Sequence, residues 1–181
     1  MARPRNYDPD AALTLIRDAF WRNGYETTSL VDLVNATGIQ KASLYAAFGN
    51  KREMSCKALV DYDQSRVQTC VAMMADIKGR GALEAFLYAP AEAVAKGDRR
   101  GCLLCNSLSE DVSISEDARQ ITARGRAALL EAIDMALAES DASYIESREV
   151  LALYFGMQVL ARGGMAEADL RRIARSAIDR I

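Results

Sequence analysis

Between Ser29 and Asn50 the chain starts and stops two helices, each of only about two turns. Ser29 with Asp32 three residues on resembles a capping box, and Leu30, Leu33 and Val34 follow at helical spacing. Gly38 stops that helix, and a second one, "KASLYAAF", ends at Gly49 before Asn50 caps a longer helix running to about Lys78. Helices this short gain little stability alone, so neighbours must hold them. Leu44 and Phe48, spaced i, i+4, would pin the second short helix to its neighbours and leave Lys41, Ala42, Ser43 and Tyr45 facing outward. Ahead of both, Asp8-Pro9 starts a helix whose Leu13, Ile16 and Phe20 share a face and which Gly24 ends. The two short helices and the turn at Gly38-Ile39 form a helix-turn-helix, a motif whose second helix, here "KASLYAAF", enters the major groove of DNA.

The rest of the chain also reads as helical, since no segment sustains an apolar–polar alternation. A helix is expected from about Ala82 to Lys96, with Pro90 kinking it, and a short apolar piece, "CLLCNSLSE", follows "GDRRG". Ser115 caps a long helix in which Leu129, Ala132, Ile133, Ala136 and Leu137 match the amphipathic template. The last two helices are expected from about Ser147 to Arg162 and from Leu170 to the end. The expected fold class is therefore all-α, an N-terminal helix-turn-helix domain of three helices over residues 1–50 joined to a helical C-terminal domain over 51–181.

Composition narrows the function. Histidine is absent, which removes Ser-His and Cys-His catalysis and any histidine ligand to a metal. No Gly-rich phosphate loop and no paired acid motif stands in for them, so no catalytic residue, metal or cofactor is expected, and the enzyme reading is the competing class. The formal charge is −2, but residues 1–60 hold eight Lys/Arg against six Asp/Glu while the remainder holds 15 against 19. That asymmetry points to an anionic partner at the N-terminal end. The opening residues lack an apolar signal region, and the longest apolar run, Val150 to Ala161, is too short for a membrane span. A cytoplasmic protein with no membrane partner is expected, in which Cys56, Cys70, Cys102 and Cys105 stay free thiols.

The outward residues of the second short helix suit DNA. Alanine allows close approach and can touch a thymine methyl, while Ser43 and Tyr45 are neutral hydrogen-bonding groups for bases or phosphates. Lys51 and Arg52 open the next helix, where cations oppose the macrodipole but would meet a phosphate together with the free amides. Taken one at a time these are solvated charges; assembled with the turn and the helix lengths they read as a nucleic-acid surface. The pattern Gly24-Tyr25, Thr28-Ser29, Asp32-Leu33, Ala36, Gly38-Ile39, Lys41, Ser43-Leu44-Tyr45, Phe48 and Lys51 resembles the DNA-binding domain of the TetR family of bacterial repressors. The resemblance covers about residues 8–56. It implies a dimer with a C-terminal ligand-binding domain, a double-stranded operator as partner, and DNA contacts from Lys41, Ser43, Tyr45 and Lys51 with Thr28 near the backbone. Ser29, Gln40 and Ala42 complete the expected DNA-binding set. Two positions depart from the family pattern: Gln40 replaces a frequent serine cap, and Ala47 a frequent histidine or tyrosine. The arm Arg3-Pro4-Arg5 could reach a minor groove or remain a disordered basic tail.

The C-terminal part is less explicit. The helix Val150–Ala161 is apolar almost all round and must be covered on every side, either within the monomer or by a second subunit. The two-half-site habit of helix-turn-helix readers favours a homodimer through the last two helices, with Leu153, Gly156, Met157, Leu160, Ile173 and Ala177 at the interface. An unknown small-molecule effector is expected against Tyr62, Met73, Met74, Phe86, Tyr88 and Leu103, whose methionines and aromatics suit an apolar cavity, although ordinary core explains each alone. Binding there would tilt the fourth helix, change the spacing of the two reading helices and release DNA. Cys102-x-x-Cys105 has the spacing of a redox pair, which makes a thiol sensor the alternative to buried structural cysteines.

Overall fold

A computed structural model describes residues 7–110, 115–140 and 145–181; the Arg3-Pro4-Arg5 arm lies outside them. The described residues form helices and no strand: α1 (Pro9–Asn23), α2 (Leu30–Thr37), α3 (Lys41–Phe48), α4 (Lys51–Tyr62), a π-helical turn (Asp63–Val67), α5 (Gln68–Ile77), α6 (Gly79–Ala95), α7 (Leu103–Ser109), α8 (Glu116–Ala138), α9 (Ser147–Arg162) and α10 (Glu167–Ile178). None is long and apolar enough to cross a membrane.

The helix starts are built as their sequences require. Asp8 accepts from the Asp10 amide with Pro9 at the first turn, Ser115 accepts from Ala118, and Ser29 and Asn50 form reciprocal capping boxes with Asp32 and Glu53. Gln40 precedes α3 without any side-chain cap. Gly38 closes α2 in the left-handed conformation, φ 69°, its amide donating to Val34 O at 2.8 Å. No neighbour crowds that position, so glycine is needed there for its backbone alone.

Two hydrophobic cores result. The small one joins α1, α2, α3 and the first half of α4 through Ile16, Phe20, Leu33, Leu44, Phe48 and Met54. The large one begins at Trp21, takes Leu59 and Tyr62 from α4, and continues through α5 to α10. α1 and α4 therefore belong to both.

The structure departs from the expected elements in three places. The fourth helix is not one uninterrupted helix to Lys78: the π turn intervenes, with the Gln68 amide reaching back to Asp63 O. Such a bulge rotates α5 relative to α4, and bulges of this kind are frequent at functional sites. The next helix starts at Gly79 rather than Ala82, after Lys78 turns the corner at φ 64°. Finally, α10 packs mainly on α6 rather than on α9. Met157 and Ala177, expected at a subunit interface, are each only 1% exposed within the single chain and belong to its own core. Their helices turn these side chains inward against α6 and α8, so they offer no surface. Leu153 and Ile173 are half-buried, whereas Gly156 and Leu160 are exposed together with Val159.

Candidate nucleic-acid interface and internal cavity

α3 stands on Leu44, which is fully buried, and Phe48. This leaves Gln40, Lys41, Ala42, Ser43 and Tyr45 exposed along one side, as the i, i+4 pair requires, and adds Ala46 to that side. Lys41 Nζ lies 6.0 Å from the centre of the Tyr45 ring. Ser29 is exposed, but its hydroxyl is engaged with Asp32, donating to the carboxylate at 2.7 Å and accepting from the Asp32 amide. The hydrogen bonds from Ser29 hold the Asp32 carboxyl below its ordinary value.

Two expected contact residues are placed differently. Thr28 is fully buried and its hydroxyl donates to Gly24 O, so its side chain closes the α1–α2 corner and cannot itself touch a duplex. Lys51 is half-buried: Nζ donates to Glu26 O at 3.2 Å and sits 4.6 Å from the Tyr25 ring centre. One of its three donors is thereby committed and the ammonium is held in place. Arg52 beside it is exposed. Tyr25, part of the family pattern but not of the expected contact set, both holds Lys51 and ties the small core to α7, its amide donating to Glu110 Oε2 at 2.8 Å. Gly24 before it has φ 88°, where a side chain is strained, and a Cβ there would run into the Glu110 carboxylate, so glycine permits this closure.

Below the small core lies a cavity of about 320 Å³. Its wall includes Trp21, Tyr62, Cys70, Met73, Cys102 and Tyr154, with Ser65, Arg66 and Val67 from the π turn. Of the residues expected against an effector, Tyr62 and Met73 line this cavity, and Met74, Phe86, Tyr88 and Leu103 do not. Met74 is core, 2% exposed. Phe86 is fully buried behind the cavity wall, stacked on Tyr154 with ring centres 4.0 Å apart. Leu103 starts α7 inside the core, and Tyr88 lies within electrostatic reach of Arg171 on α10. The expectation failed where one helix has several apolar faces, because spacing alone does not say which of them meets a void.

Trp21 is the residue no local signal marked. Its indole N–H donates to Gly101 O at 3.0 Å and its ring meets Tyr62 edge-on at 5.0 Å. The Arg100 guanidinium stacks on it at 3.7 Å, with Arg66 at 5.6 Å. Arg100 is in turn paired with Asp98 at 2.8 Å and Asp18 at 3.3 Å. Arg162, from the end of α9, donates to the carbonyls of Trp21 and Arg22 at the end of α1 and to Arg100 O. Arg17 adds a pair with Asp61 at 2.8 Å. The cavity wall is therefore bonded directly to α1.

Burial pushes the Cys70 thiol up to about 11 and that of Cys105 likewise, and it raises Cys102, Tyr62 and Tyr154 as well. Near neutral pH all five are protonated. Among the described residues no group of histidine, cysteine or acidic side chains is placed to hold a metal.

Residues 12–55, the span of the helix-turn-helix, match the family model described as bacterial regulatory proteins, tetR family. The HTH-type transcriptional repressor ComR of Escherichia coli K12 is 36% identical over 115 residues, which is 60% of this chain and 55% of that protein. BdcR of the same organism, also an HTH-type transcriptional repressor, is 30% identical over 120 residues, 66% of this chain and 60% of its own length. The chain thus spans little more than half the length of these curated relatives. A cysteine variant of the TetR family transcriptional regulator CifR, in complex with 26-bp double-stranded operator DNA, matches with a TM-score of 0.83 at 25% identity over 98% of both chains. The helix-turn-helix is thus matched in sequence to the tetR family, and the chain as a whole is similar in fold to a TetR family transcriptional regulator.

Proposed function

We propose that the protein is a dimeric, ligand-responsive DNA-binding regulator, a repressor that leaves a palindromic operator when a small molecule enters the cavity. The observation that carries the reading is α3, whose Lys41, Ala42, Ser43 and Tyr45 project from a helix anchored by Leu44 and Phe48. The names of the two repressor relatives and the operator complex of CifR support it. In this reading residues 1–50 are the DNA reader and 51–181 the sensing and dimerising part, with α4 shared between their cores. Exposed Gly156, Val159 and Leu160 on α9 are the surface for the second subunit, with half-buried Leu153 and Ile173 beside them. The cavity couples to the reader through Trp21 and Arg162, which bond the end of α1 to the larger core. Thiol sensing is disfavoured, because burial keeps Cys70, Cys102 and Cys105 protonated and unreactive.

Selection of bound sites from random duplexes tests the proposal and should return a two-fold repeat whose half-site centres lie about one or a whole number of DNA turns apart, ~34 Å per turn. Lys41→Ala should weaken binding to every sequence and lower the salt slope by about one phosphate. Thr28→Val should leave that slope unchanged, since its hydroxyl serves Gly24. No enrichment of any duplex, or a Lys41→Ala protein with unaltered affinity, would remove α3 from the interface.

A further inference from the structure

Beside the cavity, a second and more open cleft of about 650 Å³ is lined by Arg22, Lys96, Gly97, Asp98, Arg99, Arg100 and Arg162. Five of these seven residues are cations and one is an acid, on a chain whose formal charge is −2. Part of this charge has an internal use. α1, α6 and α9 all end here, and each helix C-terminus carries roughly half a negative charge. Arg162 serves the last carbonyls of α1, and Arg99 donates to Met165 O at 2.9 Å. Arg100 holds Asp98 through two bonds, at 3.0 and 2.8 Å, and reaches Asp18. Those bonds from Arg100 keep the Asp98 carboxyl below its ordinary value, so its charge is already answered.

Arg22 and Lys96 remain. Both are exposed, and among the described residues neither side chain makes a hydrogen bond or ion pair. Two cations left unpaired beside three already oriented guanidiniums form a concave positive surface, which concentrates anions. The cleft also adjoins the cavity. Asp98 lines both, and Trp21, a wall of the cavity, has the cleft residue Arg100 stacked upon it at 3.7 Å. The cavity itself is mostly apolar, with Met73, Pro90, Leu129 and the rings of Tyr62 and Tyr154 in its wall.

Resting on the reading of the cavity as the effector site, we infer that the effector is an amphipathic anion, its aromatic or aliphatic body in the cavity and its carboxylate or phosphate head in the Arg22–Lys96–Arg100–Arg162 cleft. The arrangement also gives the head a means of acting. An anion there competes for Arg162 and Arg100, the guanidiniums that hold the end of α1 and the ring of Trp21. Occupancy would loosen α1 from the larger core and so alter the placement of α3.

Trp21 is the chain's only tryptophan, so its emission reports this place alone. The test compares phenylbutyrate with the uncharged phenylbutyramide on the whole protein, following Trp21 fluorescence and, separately, retention on the selected operator. The acid should bind about tenfold or more tightly than the amide, the worth of one or two charge-assisted hydrogen bonds. An Arg22→Gln, Lys96→Gln protein should lose most of that preference, since only the guanidiniums already engaged internally remain. Neither substitution removes an internal contact, and an unchanged melting temperature would verify that the variant is folded. Equal binding of acid and amide by the native protein, an acid preference undiminished by both substitutions, or no binding of either probe overturns the anionic assignment. Equal binding would still leave the cavity an effector site for uncharged compounds. Release of operator by compounds that leave Trp21 emission unaltered would instead overturn the reading of the cavity itself.

Discussion

The two hydrophobic cores differ in how they are made. The small core gathers Ala12 to Ala58, closes short loops, and has the starts of α1, α2 and α4 capped by the side chains of Asp8, Ser29 and Asn50. The large core joins Trp21 to Ile178, encloses a cavity, and lodges two phenols and two thiols around it. The first is a rigid mount for α3. The second accepts incomplete packing, which costs stability because its lining loses contacts, and in return has room for a guest. The two cores share α1 and α4, and the Tyr25–Glu110 bond adds a third link between them.

The strongest way to break this comparison is to place a charge on either face of α9. Met157→Glu should prevent folding of the large core, since an uncompensated buried charge costs ~3–5 kcal/mol and Met157 is 1% exposed. Leu160→Glu, at a position 41% exposed, should leave the monomer folded and abolish only self-association, as read by light scattering. A folded, monomeric Met157→Glu protein would mean that α9 is rotated from the position described.

A smaller effect separates the cores themselves. Leu44→Ala removes a fully buried side chain from the small core and should cost ~2–5 kcal/mol. Hydrogen exchange should quicken through α2 and α3 while α6 and α8 keep their protection. Equal loss of protection throughout would show that the chain unfolds as one unit, and the distinction between the two cores would lose its energetic basis.

The smallest effect lies in alkali. The thiols of Cys70 and Cys105 are raised by burial from 9.0 to about 11. Up to the unfolded value both states hold the proton and stability is intact. Above it the unfolded chain ionises first, so stability falls as pH rises from about 9 to about 11. The melting temperature should therefore be flat through neutrality and decline in that window, and a Cys70→Ala, Cys105→Ala protein should decline less. A stability that instead rises with pH between neutrality and about 9 would indicate a lowered thiol pKa in the folded chain and would revive the redox reading.

The sequence by itself determined the helix-turn-helix. Asp8-Pro9, the boxes at Ser29 and Asn50, Gly38 and the Leu44–Phe48 pair are local devices, each acting within a turn or two, so their consequence can be read without knowing the fold. The same locality explains the exposure of Lys41, Ala42, Ser43 and Tyr45, because two anchors on a two-turn helix leave one free side. What only the tertiary structure decided is which apolar face meets what. Phe86 and Tyr62 look alike in the sequence, yet one is solid core and the other cavity wall. Met157 and Leu160 stand three residues apart on one apolar helix and face opposite fates. Trp21, Gly101, Arg100 and Arg162 come together from α1, the α6–α7 connection and α9. Contacts between residues separated by 62 to 141 positions leave no periodic trace, since they are set by how whole helices dock and not by what lies one turn away.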